Sequence, residues 1–346
     1  MKKLLAPILI ITLSISLLFT SGCSYITKNE EREFNVLKSY PEENAPSQII
    51  KTEKYWTMLF NSYESQDYSI SVSENLDVEN IIYNIENVNI WYFEANDYAI
   101  VWCEKSLENY TYKIYKFDSK EIETIFQISV DIGFQPQNIG IYNNFVYYCT
   151  IDYSLQKVNL IEYDINKKTT NVYYTTDFNE NNQPYSINLE NEFLSFFSSD
   201  QIKVFNIKNN TISFESPLSD TIKHIFAISY DDTNNTCALY YADEDSEDIG
   251  ILSKDENTVV SIFTFSENHY AYQDKIKCKD GHIYWITQGN VSGYVTDHYK
   301  LVNYNYLDNT VTEIDKTFCL HYNDNNLYFL RFNKNGEYTH INLCSY

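Results

Sequence analysis

Glycine and proline are scarce, with 8 and 6 residues in a chain of 346. The chain must therefore turn on other residues. Asn and Asp are the natural substitutes, since their short polar side chains close turns locally and tolerate positive φ. Basic residues are also few: 25 Lys and Arg stand against 48 Asp and Glu, a formal charge of −23. Such a surface repels nucleic acid and anionic headgroups, so no nucleic-acid partner is expected. Three local motifs are missing. There is no CxxC for a zinc or thioredoxin-type site, no HExxH for a zincin, and no GxSxG for a hydrolase nucleophile. The six histidines, His224, His269, His282, His298, His321 and His340, are isolated from one another in sequence. No catalytic residue, metal site or cofactor is assigned on these grounds. Long apolar runs are missing too, apart from one at the N-terminus.

That run has a defined order. Lys2 and Lys3 precede an apolar stretch over residues 4–19, and the small residues Ser21 and Gly22 then lead to Cys23. A charged start, an apolar middle and a small-residue end make a secretory signal. With a cysteine directly after the small residues, the segment resembles the lipobox of bacterial lipoproteins, although Thr20 stands where that family prefers an aliphatic residue. The resemblance implies cleavage before Cys23, a diacylglyceryl group on Cys23, and a protein held on the outer side of the cell membrane. Residues 1–22 are then a signal peptide. Residues 23–32, polar and without periodicity, are expected to be the lipidated cysteine and a flexible tether, and residues 33–346 the folded body.

The body carries a diverged repeat. The segments KIYKFD, NLIEYD, QIKVFN, DIGILS, KLVNYN and HINLCS each end in a polar residue: Asp118, Asp164, Asn206, Ser253, Asn305 and Ser345. Four positions earlier stands an aliphatic in every case: Ile114, Leu160, Ile202, Ile249, Leu301 and Ile341. Upstream of each lies a hairpin pattern, two β-rich runs flanking a short Asn, Asp, Glu or Gly turn. A further short strand follows downstream. Four strands in about 45 residues is the size of one propeller blade. The expected fold is all-β, a β-propeller of seven blades with six as the alternative. Residues 88–130, 136–176, 184–217, 222–265 and 272–315 read as complete blades, and 48–86 as a degenerate first one. Residues 317–346 supply three strands, so an N-terminal strand at 33–40 is expected to complete that blade and close the ring.

HIYWITQG at 282–289, NLYFLRFN at 326–333 and YWTM at 55–58 resemble the strand motif of YWTD-type propellers, found in receptors related to the LDL receptor. The resemblance implies ligand binding by analogy and carries no site residue across. Of the seven cysteines, the six after Cys23 show no disulfide framework, and several sit inside apolar strand patterns, where a thiol serves as a small hydrophobe. The acidic run DEDSEDIG at 243–250 fails the order of an EF-hand and reads as a solvated loop. Asp280-Gly281 reads as a hairpin turn. The loops at 231–236, 242–248 and 288–298 vary most in length. The last carries the candidate ligand-binding residues Tyr294, Asp297 and His298. The functional expectation is a lipid-anchored extracytoplasmic propeller that binds a protein or glycan without catalysis; the alternative is a carbohydrate-active lyase or glycosidase on the same scaffold.

Overall fold

The computed structural model describes residues 26–27, 35–41, 44–62, 67–77, 80–86, 88–130, 138–179, 185–254, 258–265, 269–289, 299–315, 317–323, 326–332 and 340–345. Cys23, Tyr294, Asp297 and His298 lie outside these residues. The described strands form seven antiparallel sheets with four strands each, one of which gains a fifth. In chain order the sheets cover 46–85, 89–129, 140–177, 186–217, 224–264, 269–315 and 317–345, designated blades 1 to 7. The seven-blade expectation holds and the six-blade alternative falls.

Packing shows why the sheets make a ring. Seven apolar clusters exist among the described residues; six are shared by blades consecutive in the chain, and one by the first and the last. Trp102 and Ile70 belong to the cluster between blades 1 and 2, and Tyr112 and Tyr148 to that between blades 2 and 3. Trp285 and Tyr240 join blades 5 and 6. The seventh cluster, with Met58 and Ile49 from blade 1 and Leu330 and Leu343 from blade 7, closes the circle. A blade buried on both faces needs central strands that are apolar throughout, and Ala99–Lys105 and Thr236–Ala242 are buried at every position but the last. Five of the aliphatics in the repeat, from Ile114 to Leu301, are fully buried. All six described cysteines are buried free thiols. Burial, followed by the Glu104 charge, pushes the Cys103 thiol up to about 12, so it stays protonated and inert.

In blades 3, 4 and 6 the polar residue that ends the repeat segment caps the turn from third to fourth strand. Asp164 Oδ1 accepts the backbone N–H groups of Asn166 and Lys167, both at 3.0 Å. Asn206 accepts from Asn209 at 3.0 Å, and Asn305 from Leu307 at 2.9 Å. Shortage of glycine has the expected consequence: of eleven non-glycine residues with positive φ, six are Asn. Four turns of this set place Lys120, Lys168, Asn210 and Asn309 at φ between 54° and 58°. Exposed Lys120 has no Asn-type side chain to offset that conformation, so Lys120→Gly should raise stability by about 0.5–1 kcal/mol. Urea melts compare it with Lys120→Ala, which should leave the midpoint unchanged. Asp280 (φ 50°) and Gly281 (φ 85°) form the expected tight hairpin turn; a Cβ on Gly281 would meet Leu307 Cδ1 at 2.5 Å.

The ring closes as expected. The N-terminal strand β2 (Asn35–Pro41) lies antiparallel on the last strand, His340–Ser345, with Asn35 opposite Ser345 and Pro41 opposite His340. Before it, β1 (Ile26–Thr27) pairs in parallel with the outer strand of blade 6, Ile26 opposite Thr310. The segment expected to be a tether over 23–32 therefore carries two residues that are docked on the ring. They add to an outer edge where Thr310 and Val311 would otherwise present unpaired backbone groups.

A meander of antiparallel strands fixes the two ends of the ring. Turns after the first and third strands of every blade lie at one end, called here the proximal end. Turns after the second strand and the connections between blades lie at the other, the distal end. Loop 231–236 is proximal, whereas 242–248 and the two described ends of 288–298, at Gln288 and Tyr299, are distal, so the three loops with the most variable lengths do not start from one face. The acidic run also resolves. Asp243 folds back on the backbone N–H groups of Asp245 and Ser246, both at 2.8 Å. Asp248, expected in solvent, is buried and accepts from Ser261, Thr264 and Ser246. No helix among the described residues is long and apolar enough to cross a membrane.

Candidate functional site

The inner strands of the seven blades surround a cavity of about 810 Å³. Its rim is built from the turns that follow those inner strands: Glu53, Asn96, Asp97, Tyr98, Asn143, Glu192 and Asp232 among others. It therefore opens at the proximal end. Aromatic side chains line it from several blades, including Tyr92, Tyr142, Phe193 and Tyr322, and polar ones come between them. A space of this size is in the range that holds small molecules and short polymer segments.

Charge is concentrated where blades 4, 5 and 6 meet. Glu190, which ends the inner strand Ser186–Glu190 of blade 4, receives Lys277 from blade 6 at 2.6 Å. Its other carboxylate oxygen accepts the Ser229 hydroxyl of blade 5 at 2.7 Å. Ser229 Oγ in turn accepts the backbone N–H of Cys278 at 2.7 Å. One carboxylate thus ties three consecutive blades across the cavity wall. Burial alone would press the Lys277 ammonium toward neutrality, but the charge and hydrogen bond of Glu190, with Glu94 further away, hold it above the ordinary lysine value. It stays charged at neutral pH, with its side chain still about a quarter exposed at 23%.

Further links between blades run round the rim. Lys54 N–H donates to Asp97 at 2.9 Å between blades 1 and 2, and Asn96 donates to the Asn143 carbonyl at 2.9 Å between blades 2 and 3. Asn188 reaches the Ile228 carbonyl at 2.7 Å, and Lys279 pairs with Asp232 at 2.8 Å. His321 of blade 7 lies 3.1 Å from the Lys51 carbonyl of blade 1. Just under the rim, Asp231 is fully buried. Its carboxylate accepts two backbone N–H groups and the Asn234 amide from its own turn, and from blade 6 the Gly281 N–H and the Tyr306 hydroxyl, both at 2.9 Å. These bonds hold the rim in one arrangement before any ligand arrives, which lowers the ordering cost of binding.

No group of three or more His, Cys, Asp or Glu among the described residues is arranged to hold a metal ion. His224, at the distal start of its strand, stacks on Phe226 with ring centroids 4.4 Å apart, and burial lowers its pKa below the usual histidine value. His282 faces Asn303 at 2.9 Å. With Asn305 near its other ring nitrogen at 3.5 Å, His282 is a satisfied structural group. Loop 290–298, with Tyr294, Asp297 and His298, is not described; its flanking strands, paired at Gln288 and Tyr299, put both loop ends at the distal end, away from the rim. Sequence reasoning passed over Glu190, Ser229 and Lys277. The signal available was the alternation Ile276, Lys277, Cys278, Lys279, in which buried apolar positions alternate with half-buried lysines along one strand.

No protein-family model matches the sequence, and no match was found among curated proteins. Solved structures are similar in fold. The β-propeller domain of the Trilobed protease from Pyrococcus furiosus, a propeller of open velcro topology, superposes with a TM-score of 0.54 at 11% identity, covering 84% of this chain and 92% of that one. The Neurospora crassa Pan2 WD40 domain gives 0.53 at 7% identity, covering 92% and 97%. Pyrococcus horikoshii acylaminoacyl peptidase gives 0.50 at 12% identity, covering 87% of this chain and 51% of that one, so the chain spans about half the peptidase's length. At these identities the likeness is one of fold.

Proposed function

We propose that this chain is an extracytoplasmic lipoprotein, lipidated at Cys23, whose propeller binds a ligand the size of a short oligosaccharide or peptide segment at the proximal mouth of its channel. One observation carries the binding reading: a cavity of about 810 Å³ whose aromatic and polar rim is held rigid by bonds between blades. Proteins do not usually fix a concave, mixed aromatic and polar surface of this volume without using it. The solved propellers similar in fold include parts of peptidases and a WD40 domain, and both kinds are compatible with recognition at a propeller end. The anchor rests on the order of residues 2–23, from Lys2 to the Ser-Gly-Cys end.

Two experiments test the two halves. For the anchor, labelling with an alkyne fatty acid should mark the wild type and leave Cys23→Ala unlabelled; equal labelling of both overturns the site. For binding, the soluble body, residues 24–346, is titrated against glycan and peptide panels. Saturable binding by a member of either panel should weaken at least tenfold, about 1.4 kcal/mol, in Tyr98→Ala and in Glu94→Gln. Tyr98 is 52% exposed on the rim, so its removal leaves the core intact. Binding indifferent to both substitutions places the site elsewhere, and turnover of a panel member converts the module into an enzyme.

A further inference from the structure

The geometry points to a propeller that stands on the membrane with its channel mouth turned toward the bilayer. This inference rests on the lipid anchor at Cys23 and adds to it a direction. Two described strands give that direction independently. In β2 the chain enters the ring at Asn35, opposite Ser345, where the last strand finishes. A third strand of a blade finishes at the proximal end, so Asn35 is proximal. In β1, Ile26 sits opposite Thr310, the first residue of the outer strand of blade 6. That residue follows a turn from third to fourth strand and is proximal as well. Because β1 runs parallel to its partner, its first residue, Ile26, is the end that lies at the proximal edge. Cys23 is three residues further, a reach of about 10 Å.

A lipidated Cys23 therefore holds the proximal rim of blade 6 within about 10 Å of the headgroups. The distal end stands roughly 25 Å further away, the length of a strand of seven or eight residues. Charge sets the gap. The formal charge of −23 gives the protein the same sign as anionic headgroups, and that repulsion decays over about 8–10 Å at physiological salt. Reach and screening length are comparable, so the rim hovers over the surface without sinking into it. A ligand must then enter the channel from that narrow gap, which admits an extended chain or a molecule presented by the membrane and excludes a large folded partner.

The experiment uses the full lipidated protein reconstituted into vesicles. Native thiols are buried, so a fluorescent maleimide attaches only to an introduced cysteine. Lys54→Cys places it on the proximal rim, and Leu107→Cys, at a position 98% exposed, places it on the distal face. Lipids carrying a nitroxide headgroup should quench the label at position 54 at least threefold more strongly than the label at 107, and detergent should abolish the difference. Equal or reversed quenching, with the diacylglyceryl mass confirmed on Cys23, overturns the orientation and leaves the anchor standing. Protein that stays in the aqueous phase with no lipid mass overturns the anchor and the orientation together.

Discussion

Asp231→Ala should lower the unfolding free energy by about 3–5 kcal/mol, since five donors on two blades lose one buried acceptor together. Urea melts at neutral pH measure the loss, and an unchanged midpoint would show that the carboxylate does not pin blade 5 to blade 6. The effect depends on pH with a definite sign. Burial alone would raise the Asp231 pKa, but the bonds from Asn234, Gly281 and Tyr306 outweigh it and hold the carboxyl below its ordinary value. A group whose folded pKa is depressed adds stability above its unfolded value of about 3.9 and loses it as pH falls through the folded value. The gap between wild type and variant should be complete at pH 7 and narrow below about pH 4. A gap of constant size across that range would mean that packing, not charge, supplies the effect.

Removing residues 24–41 should cost about 4–6 kcal/mol. Buried Tyr40 accounts for about 2–3 of that, and the lost ladder along His340–Ser345 for much of the rest. Two ties to blade 1 go as well: the Tyr40 hydroxyl on Met58 Sδ at 3.3 Å and the Lys38 ammonium on the Leu76 carbonyl at 2.7 Å. Against a total of about 5–15 kcal/mol for an ordinary domain, that loss leaves the ring barely folded. The exposed edge of the last strand should also promote association, visible as concentration-dependent light scattering. A peptide of residues 33–42 added in trans should restore the urea midpoint. A truncated protein that melts like the full body and stays monomeric would show that the ring does not need its closing strand.

The two sites differ in how far the sequence disclosed them. Blade boundaries were legible because they depend on local chemistry. A polar residue that ends a strand and caps its own turn, as Asp164 and Asn206 do, leaves a mark at a fixed distance from a buried aliphatic. The closing strand was legible for a simple topological reason: three strands at one terminus require a fourth. The channel was not, because its chemistry is assembled from residues far apart in the chain. Glu190 and Lys277 are separated by 87 positions, and neither segment contains anything that names the other. Asp248 illustrates the converse failure. A dense acidic run usually faces water, yet Ser261 and Thr264, on the strand paired alongside, draw this carboxylate inward.

Order of synthesis gives ring closure one more consequence. Asn35 leaves the ribosome about three hundred residues before its partner Ser345. Blades 1 to 6 have all four ladder strands close together in the chain and can form as they emerge. Blade 7 cannot be completed until residues 340–345 have been made, and until then β2 waits without its partner strand. A chain cut short before residue 340 therefore has an open ring and an exposed strand edge. Closure of the whole ring waits on this one strand of six residues.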